Sequence, residues 1–194
     1  YGSLSDITIS AGATTGTTTF TPTNDNMYET STDETATVAI DTVSGGSATE
    51  NGTQSVTITI NEDESAPTVT LAASGTSIAE DSSSSITITA SLSGTTSQDV
   101  TVSLSSSSTA TEGTDYGTVS DITITSGSTS GTATFTPTDD SIYDATSNET
   151  AILSISGVSG GGATESGDQK VTITITDNES APTVTLSVSA ASIA

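Results

Sequence analysis

Carboxylates are the one abundant class of chemically active side chain here, and they are unevenly placed. Between Ser65 and Glu179 lie 14 Asp and Glu residues, and nine of them fall in four short groups. These are Glu80-Asp81; Asp115; Asp139-Asp140 with Asp144 and Glu149; and Asp177-Asn178-Glu179. The preceding part of the chain offers Asp25, Glu29, Asp33, Glu34, Glu62, Asp63 and Glu64. Carboxylates brought together repel unless something neutralises them. With one Lys+Arg against 24 Asp+Glu in 194 residues, side-chain cations do not. A hard divalent cation would. Calcium takes six to eight oxygen ligands at about 2.3–2.6 Å in flexible geometry, whereas magnesium demands a near-octahedral set and keeps its waters. The competing reading is that these are solvated loop carboxylates that keep the chain soluble.

The same composition excludes other chemistry. A net charge of −23 leaves nothing to neutralise phosphates, so no nucleic acid is expected as a partner. With no Cys and no His there is no disulfide framework, no zinc or haem site of the usual kind and no imidazole catalysis. Apolar runs are only a few residues long, so no membrane insertion by this segment is expected.

Loops that carry such groups must be held by regular elements, and the pattern between them has a period of two. Asp6-Ile7-Thr8-Ile9, Val56-Thr57-Ile58-Thr59-Ile60, Ile86-Thr87-Ile88-Thr89, Val100-Thr101-Val102-Ser103-Leu104 and Val171-Thr172-Ile173-Thr174-Ile175 place apolar side chains on one face. β-Branched Thr on the other face favours extended backbone. Gly, Ser, Asn or Asp punctuate each gap, and no stretch carries a helical stripe. These runs predict an all-β antiparallel sandwich. Its expected core is Val69, Leu71, Ile86, Ile88, Leu92, Val100, Val102, Leu104, Ile122, Ile124, Phe135, Leu153, Ile155, Val171, Ile173 and Ile175. In such a sandwich alternate connections share an end, so the four acidic groups are expected to converge at one pole.

The chain also repeats itself. Tyr1-Gly2 returns as Tyr116-Gly117, Phe20-Thr21-Pro22-Thr23 as Phe135 to Thr138, and Glu64 to Leu71 as Glu179 to Leu186. The offset of 116 − 1 = 115 holds without a gap, with 48 of the 79 overlapping positions identical. A period of this length is too long for a solenoid unit and suits one sandwich domain. The expected organisation is the C-terminal part of a first repeat at 1–64, a complete repeat at 65–179, and the first strand of a third at 180–194. A longer parent with further copies is implied. Ser65-Ala66-Pro67 and Ser180-Ala181-Pro182 make short junctions in which proline limits the backbone, so neighbours should sit end to end.

Gly113-Thr114-Asp115-Tyr116, the stretch from Phe135 through Asp139-Asp140-Ser141-Ile142-Tyr143-Asp144, Glu149, and the closing Ile173 to Glu179 resemble a Calx-beta domain. That family is known from sodium–calcium exchangers and integrin β4, and from tandem repeats of large bacterial surface proteins. The resemblance covers essentially the whole chain. It implies a seven-stranded, immunoglobulin-like sandwich with Ca2+ bound at one pole. By position it makes Glu80 the acid of the first loop and Asp115 that of the Asp-Tyr motif. Asp139, Asp140 and Asp144 become the central group, Glu149 the later acid after a two-residue insertion, and Asp177 and Glu179 the terminal acids. The sequence departs from the pattern at Asn178, where a third carboxylate is common, and at Asn24, the counterpart of Asp139.

Together these features point to a calcium-stiffened structural spacer of a long extracellular protein, of adhesin or gliding-filament type, on a bacterial surface. Its partners would be neighbouring repeats of the same chain, with lateral self-association and a distal adhesive ligand as further ones. A calcium sensor would need a downstream effector, which near-identical tandem copies do not favour. Thr-rich strand faces (Thr57 and Thr59, Thr87 and Thr89, Thr172 and Thr174) could instead contact sugars or ice. Paired carboxylates also serve glycosidases, but aromatic residues for a sugar platform make up only 3% of the chain, so no enzymatic activity is expected. Asp41-Thr42-Val43 and Asp140-Ser141-Ile142 are similar to bacterial O-glycosylation acceptors.

Overall fold

A computed structural model describes residues 1–30, 33–144 and 148–189. Among these residues every regular element is a strand. The first part carries β1 (Met27–Tyr28), β2 (Glu34–Ala39) and β3 (Ser55–Ile60), the last two paired antiparallel. Ten strands follow: β4 (Thr68–Ala73), β5 (Ser77–Ala79), β6 (Ile86–Leu92), β7 (Thr95–Thr96), β8 (Val100–Ser107), β9 (Ile122–Ile124), β10 (Ser130–Phe135), β11 (Asn148–Ser159), β12 (Thr164–Glu165) and β13 (Lys170–Thr176).

Two sheets form from Thr68 to Thr176, in the orders β10-β6-β4-β12 and β5-β13-β11-β8-β9. Alternation along the strands decides what lies between them. Val69 and Leu71 of β4 and Ile86, Ile88, Ala90 and Leu92 of β6 are buried with Val100, Val102, Ile122, Ile124, Leu153, Ile173 and Ile175 of the other sheet. Phe135 and Tyr116, both fully buried, stack with ring centroids 4.6 Å apart. The expected core is therefore present, except that Leu104 and Val171 are only partly buried. Tyr116, Ile78 and a set of alanines, Ala90, Ala110, Ala151 and Ala163, complete it.

The all-β sandwich stands, with one refinement. Its main pairings are antiparallel, but the first and last strands each divide between the sheets. The first runs as β4 beside β6 and then crosses as β5 to lie parallel to β13. The last runs as β12, parallel to β4, before becoming β13. With these halves joined, and β7 set aside, seven strands remain.

Identical sequence behaves differently in the two copies. Asp121-Ile122-Thr123-Ile124 contains β9, paired to β8, with both isoleucines fully buried. Asp6-Ile7-Thr8-Ile9 forms no strand, and its isoleucines are 55% and 58% exposed. The expected strand at Asp6–Ile9 is thus corrected: no counterpart of β8 exists in this chain to pair with it. Residues 183–188, the counterpart of β4, are likewise unpaired, and Val184 and Leu186 stand open to solvent.

Contact between the two parts runs through β1. Met27–Tyr28 pairs in parallel with Thr95–Thr96 of β7, at the end of the sandwich opposite Glu80 and Asp177. Pro67, at the junction, is buried, and its carbonyl accepts the Thr164 amide at 3.2 Å.

Candidate metal centre

Strand pairing explains why distant carboxylates meet. Parallel β5–β13 pairing sets Ala79 opposite Thr176, and the Glu80 amide donates to the Thr176 carbonyl at 3.1 Å. Glu80 and Asp177 therefore leave the sheet side by side. The β11–β13 register puts Glu149 opposite Ile175 at the same end. Tyr116 bridges to Pro137, and the Thr138 amide donates to the Asp115 carbonyl at 3.0 Å, which holds the Asp115 loop beside the residue that precedes Asp139.

Carboxylate oxygens of Glu80, Asp139 and Glu179 lie within 4.8 Å of one another. Glu80 is buried, 8% exposed, whereas Asp139 is exposed and Glu179 half-buried. With its nitrogen turned toward the acids, the Asn178 side chain donates to Glu80 Oε1 at 2.6 Å and Glu179 Oε2 at 3.2 Å. The amide thus satisfies part of the negative charge where a third carboxylate would have added to it. Around these groups the backbone contributes donors. Asp177 accepts the amides of Glu179 (2.9 Å) and Asp144 (3.0 Å), and Asp115 accepts that of Thr111 (2.6 Å).

Protonation follows from this crowding. The hydrogen bond Glu179 shares with Glu80, together with desolvation and the nearby Asp177, pushes its carboxyl up to about 7. Burial, then the charge of Asp115 and a hydrogen bond to it, and then Asp144 and Glu80, push Glu149 to about 7 as well. Asp177 goes the other way, held below its ordinary value chiefly by the Glu179 amide. Glu80 adjoins both groups, so Asp115, Asp144 and Glu149 on one side and Asp139, Asp177 and Glu179 on the other form one acidic pole.

The sequence-predicted residues do not all join it. Asp81 is exposed and takes part in none of these contacts. Asp140 is exposed and accepts the Ile142 amide at 2.6 Å, closing a tight turn. In the first part, Glu62, Asp63 and Glu64 form a separate acidic triplet within 4.8 Å. Hydrogen bonding to Glu62, followed by desolvation, pushes Glu64 to about 7, as at its counterpart Glu179. Desolvation, then Glu34, Asp25 and Glu62, raises Glu29. Counterparts of Glu80 and Asp115 fall outside the chain, so this set is smaller. No residue pattern signals the Thr111 amide as a support for Asp115, because a backbone donor has no residue signature.

Oxygen donors of mixed exposure, converging from four connections without a cation among them, are chemically suited to a hard metal ion. No protein-family profile matches the sequence, and no curated protein matches it. Among solved structures, the apo-form Calx CBD1 domain is similar at 16% identity and a TM-score of 0.49, over 59% of this chain and 100% of that one. CBD12 from CALX1.2 is similar at 17% identity and a TM-score of 0.48, over 57% of this chain and 45% of the other, so the match spans less than half of that structure.

Proposed function

We propose that the chain is a calcium-stiffened spacer segment of a long extracellular surface protein. The observation that carries this reading is the convergence of Glu80, Asp139 and Glu179 within 4.8 Å with no Lys or Arg to pair them. Calcium bound by these acids and by Asp177 would tie together β5, β10 and β13, the elements that end at the pole. The equivalent acids Glu62 and Glu64 lie directly before Ser65-Ala66-Pro67, so an ion there would stiffen the connection to the sandwich that follows. Neighbouring repeats are the natural partners, and a bacterial cell surface is the setting in which an acidic, cysteine-free chain with internal copies would work.

Small-angle scattering tests the reading. In calcium the chain is expected to have a single, well-defined maximum dimension. A chelator should broaden the distance distribution, because self-repelling poles no longer hold their loops. An identical distribution in both conditions would sink the proposal.

A further inference from the structure

One short segment is held alike in both copies but paired in only one. In the first, Asp25 accepts the Met27 amide at 2.9 Å and Glu62 accepts the Glu29 amide at 2.7 Å, so the residues between are pinned at both ends. The extended Met27–Tyr28 then lies in parallel on Thr95–Thr96. The Tyr28 carbonyl accepts the Ser97 amide at 3.0 Å, and the Asn26 carbonyl accepts the Thr95 hydroxyl at 2.7 Å. Thr96, only 1% exposed, donates to the Gly161 carbonyl at 3.3 Å. The Tyr28 ring rests on the next glycine: a Cβ at Gly162 would stand 2.6 Å from Cε1 and 3.2 Å from the hydroxyl.

In the second copy, 115 residues on, the pins recur. Asp140 accepts the Ile142 amide at 2.6 Å and Asp177 accepts the Asp144 amide at 3.0 Å. The strand they prepare has no partner among the described residues, and Ile142 is 67% exposed where Met27 is half-buried. Adding an extended segment to an exposed sheet edge is a general recognition mode, with backbone bonds supplying affinity and a side-chain seat supplying register.

We propose that Ser141–Ile142–Tyr143 is a docking strand for a second copy of this repeat, engaging that copy's Thr95–Thr96 edge and its Gly161–Gly162 seat as Met27–Tyr28 does within the chain. The inference rests on the spacer reading only in needing a following copy; it invokes no metal. Among the described residues the Thr95–Thr96 edge is already taken by Met27–Tyr28, so the occupant proposed is a further copy.

The test uses the whole chain with residues 65–179 repeated once more after Glu179, which reproduces the Glu64–Ser65 junction. Amide exchange is followed at Ser97 in both copies, in calcium and in chelator. Both Ser97 amides are expected to be protected, roughly tenfold or more above their undocked rate. Tyr28→Ala should release only the first, and Tyr143→Ala only that of the added copy. Gly162→Ser in the added copy should act like Tyr143→Ala. It should fold, because the counterpart turn carries Ser47 at φ 56°. Free exchange at the added Ser97 with Tyr143 intact, or protection that survives Tyr143→Ala, would overturn the proposal. Protection that persists in chelator supports docking even if scattering finds no calcium stiffening, so the two readings fail separately.

Discussion

At the scale of single residues, the acidic pole sets charge against fold. Glu149 is held at the start of β11 where burial and the charges of Asp115, Asp144 and Glu80 oppose its ionisation. Replacing it by Gln removes one of these repelling charges while keeping the shape. Glu149→Gln is therefore expected to raise the melting temperature in chelator by roughly 2–4 °C. In calcium, on the proposed reading, the order should invert, because the pole that would hold the ion has lost a charge and mass-action stabilisation shrinks. Melting curves of the two proteins under both conditions check this; a variant less stable than the parent in chelator contradicts the repulsion. Tyr116 presents the opposite case. Its ring is fully buried against Phe135, and its hydroxyl has no hydrogen-bond partner among the described residues. An unsatisfied buried hydroxyl costs stability, so Tyr116→Phe should be neutral or stabilising by up to about 2 kcal/mol. Urea titration decides it, and a clear loss would mean that the hydroxyl is bonded.

At the scale of elements, the repeated tetrapeptide Asp-Ile-Thr-Ile separates propensity from packing. Ile122 is fully buried in β9, and Ile7, in the same local sequence, is 55% exposed. Ile122→Ala should cost about 2–5 kcal/mol through lost burial and a cavity. Ile7→Ala should stay within about 0.5 kcal/mol, as surface substitutions do. Denaturant unfolding of both variants measures the contrast, and equal losses would show that Ile7 is packed after all. This contrast also explains what the sequence could and could not reveal. Period-two runs identify core-facing residues well, because alternation states directly which side chains share a face. Of the expected core only Leu104 and Val171 are less than buried. Alternation does not say whether a partner strand exists, and so Asp6–Ile9 reads as a strand and is none. Nor does it show a strand changing sheets, which is what brings Glu80 beside Asp177. The acids of the pole were legible as clusters. That Asp81 and Asp140 are exposed and stay outside the contacts of the pole was not, since neighbours in sequence diverge at a turn. The repeated tyrosines Tyr28 and Tyr143 were visible too, but a docking role emerges only once one of them is seen on its edge.

At the scale of the whole molecule, the charge of −23 acts through a few groups with displaced titration. Glu64, Glu149 and Glu179 have carboxyls raised from an ordinary 4.5 to about 7 in the folded chain. Between those values the folded state holds more protons than the unfolded one, so stability must fall as pH rises. Glu62 and Asp177 are shifted downward. The stability they add is fully present above their ordinary values of 4.5 and 3.8 and is lost only in stronger acid, so they do not cancel the slope in this window. In chelator the melting temperature is thus expected to decline from about pH 4.5 to about pH 7 and then level off. Calcium should reverse the sign, because bound carboxylates must be ionised and protons compete with the ion for them. Added monovalent salt should flatten the metal-free decline by screening, more at the triplet Glu62-Asp63-Glu64, where Asp63 is exposed and neither glutamate is fully buried, than at the pole around buried Glu80. Scanning calorimetry across this range, with and without calcium, reads all three trends together. A metal-free chain that grows more stable toward neutral pH would show that its carboxylates are separately solvated and that the pole has no need of an ion.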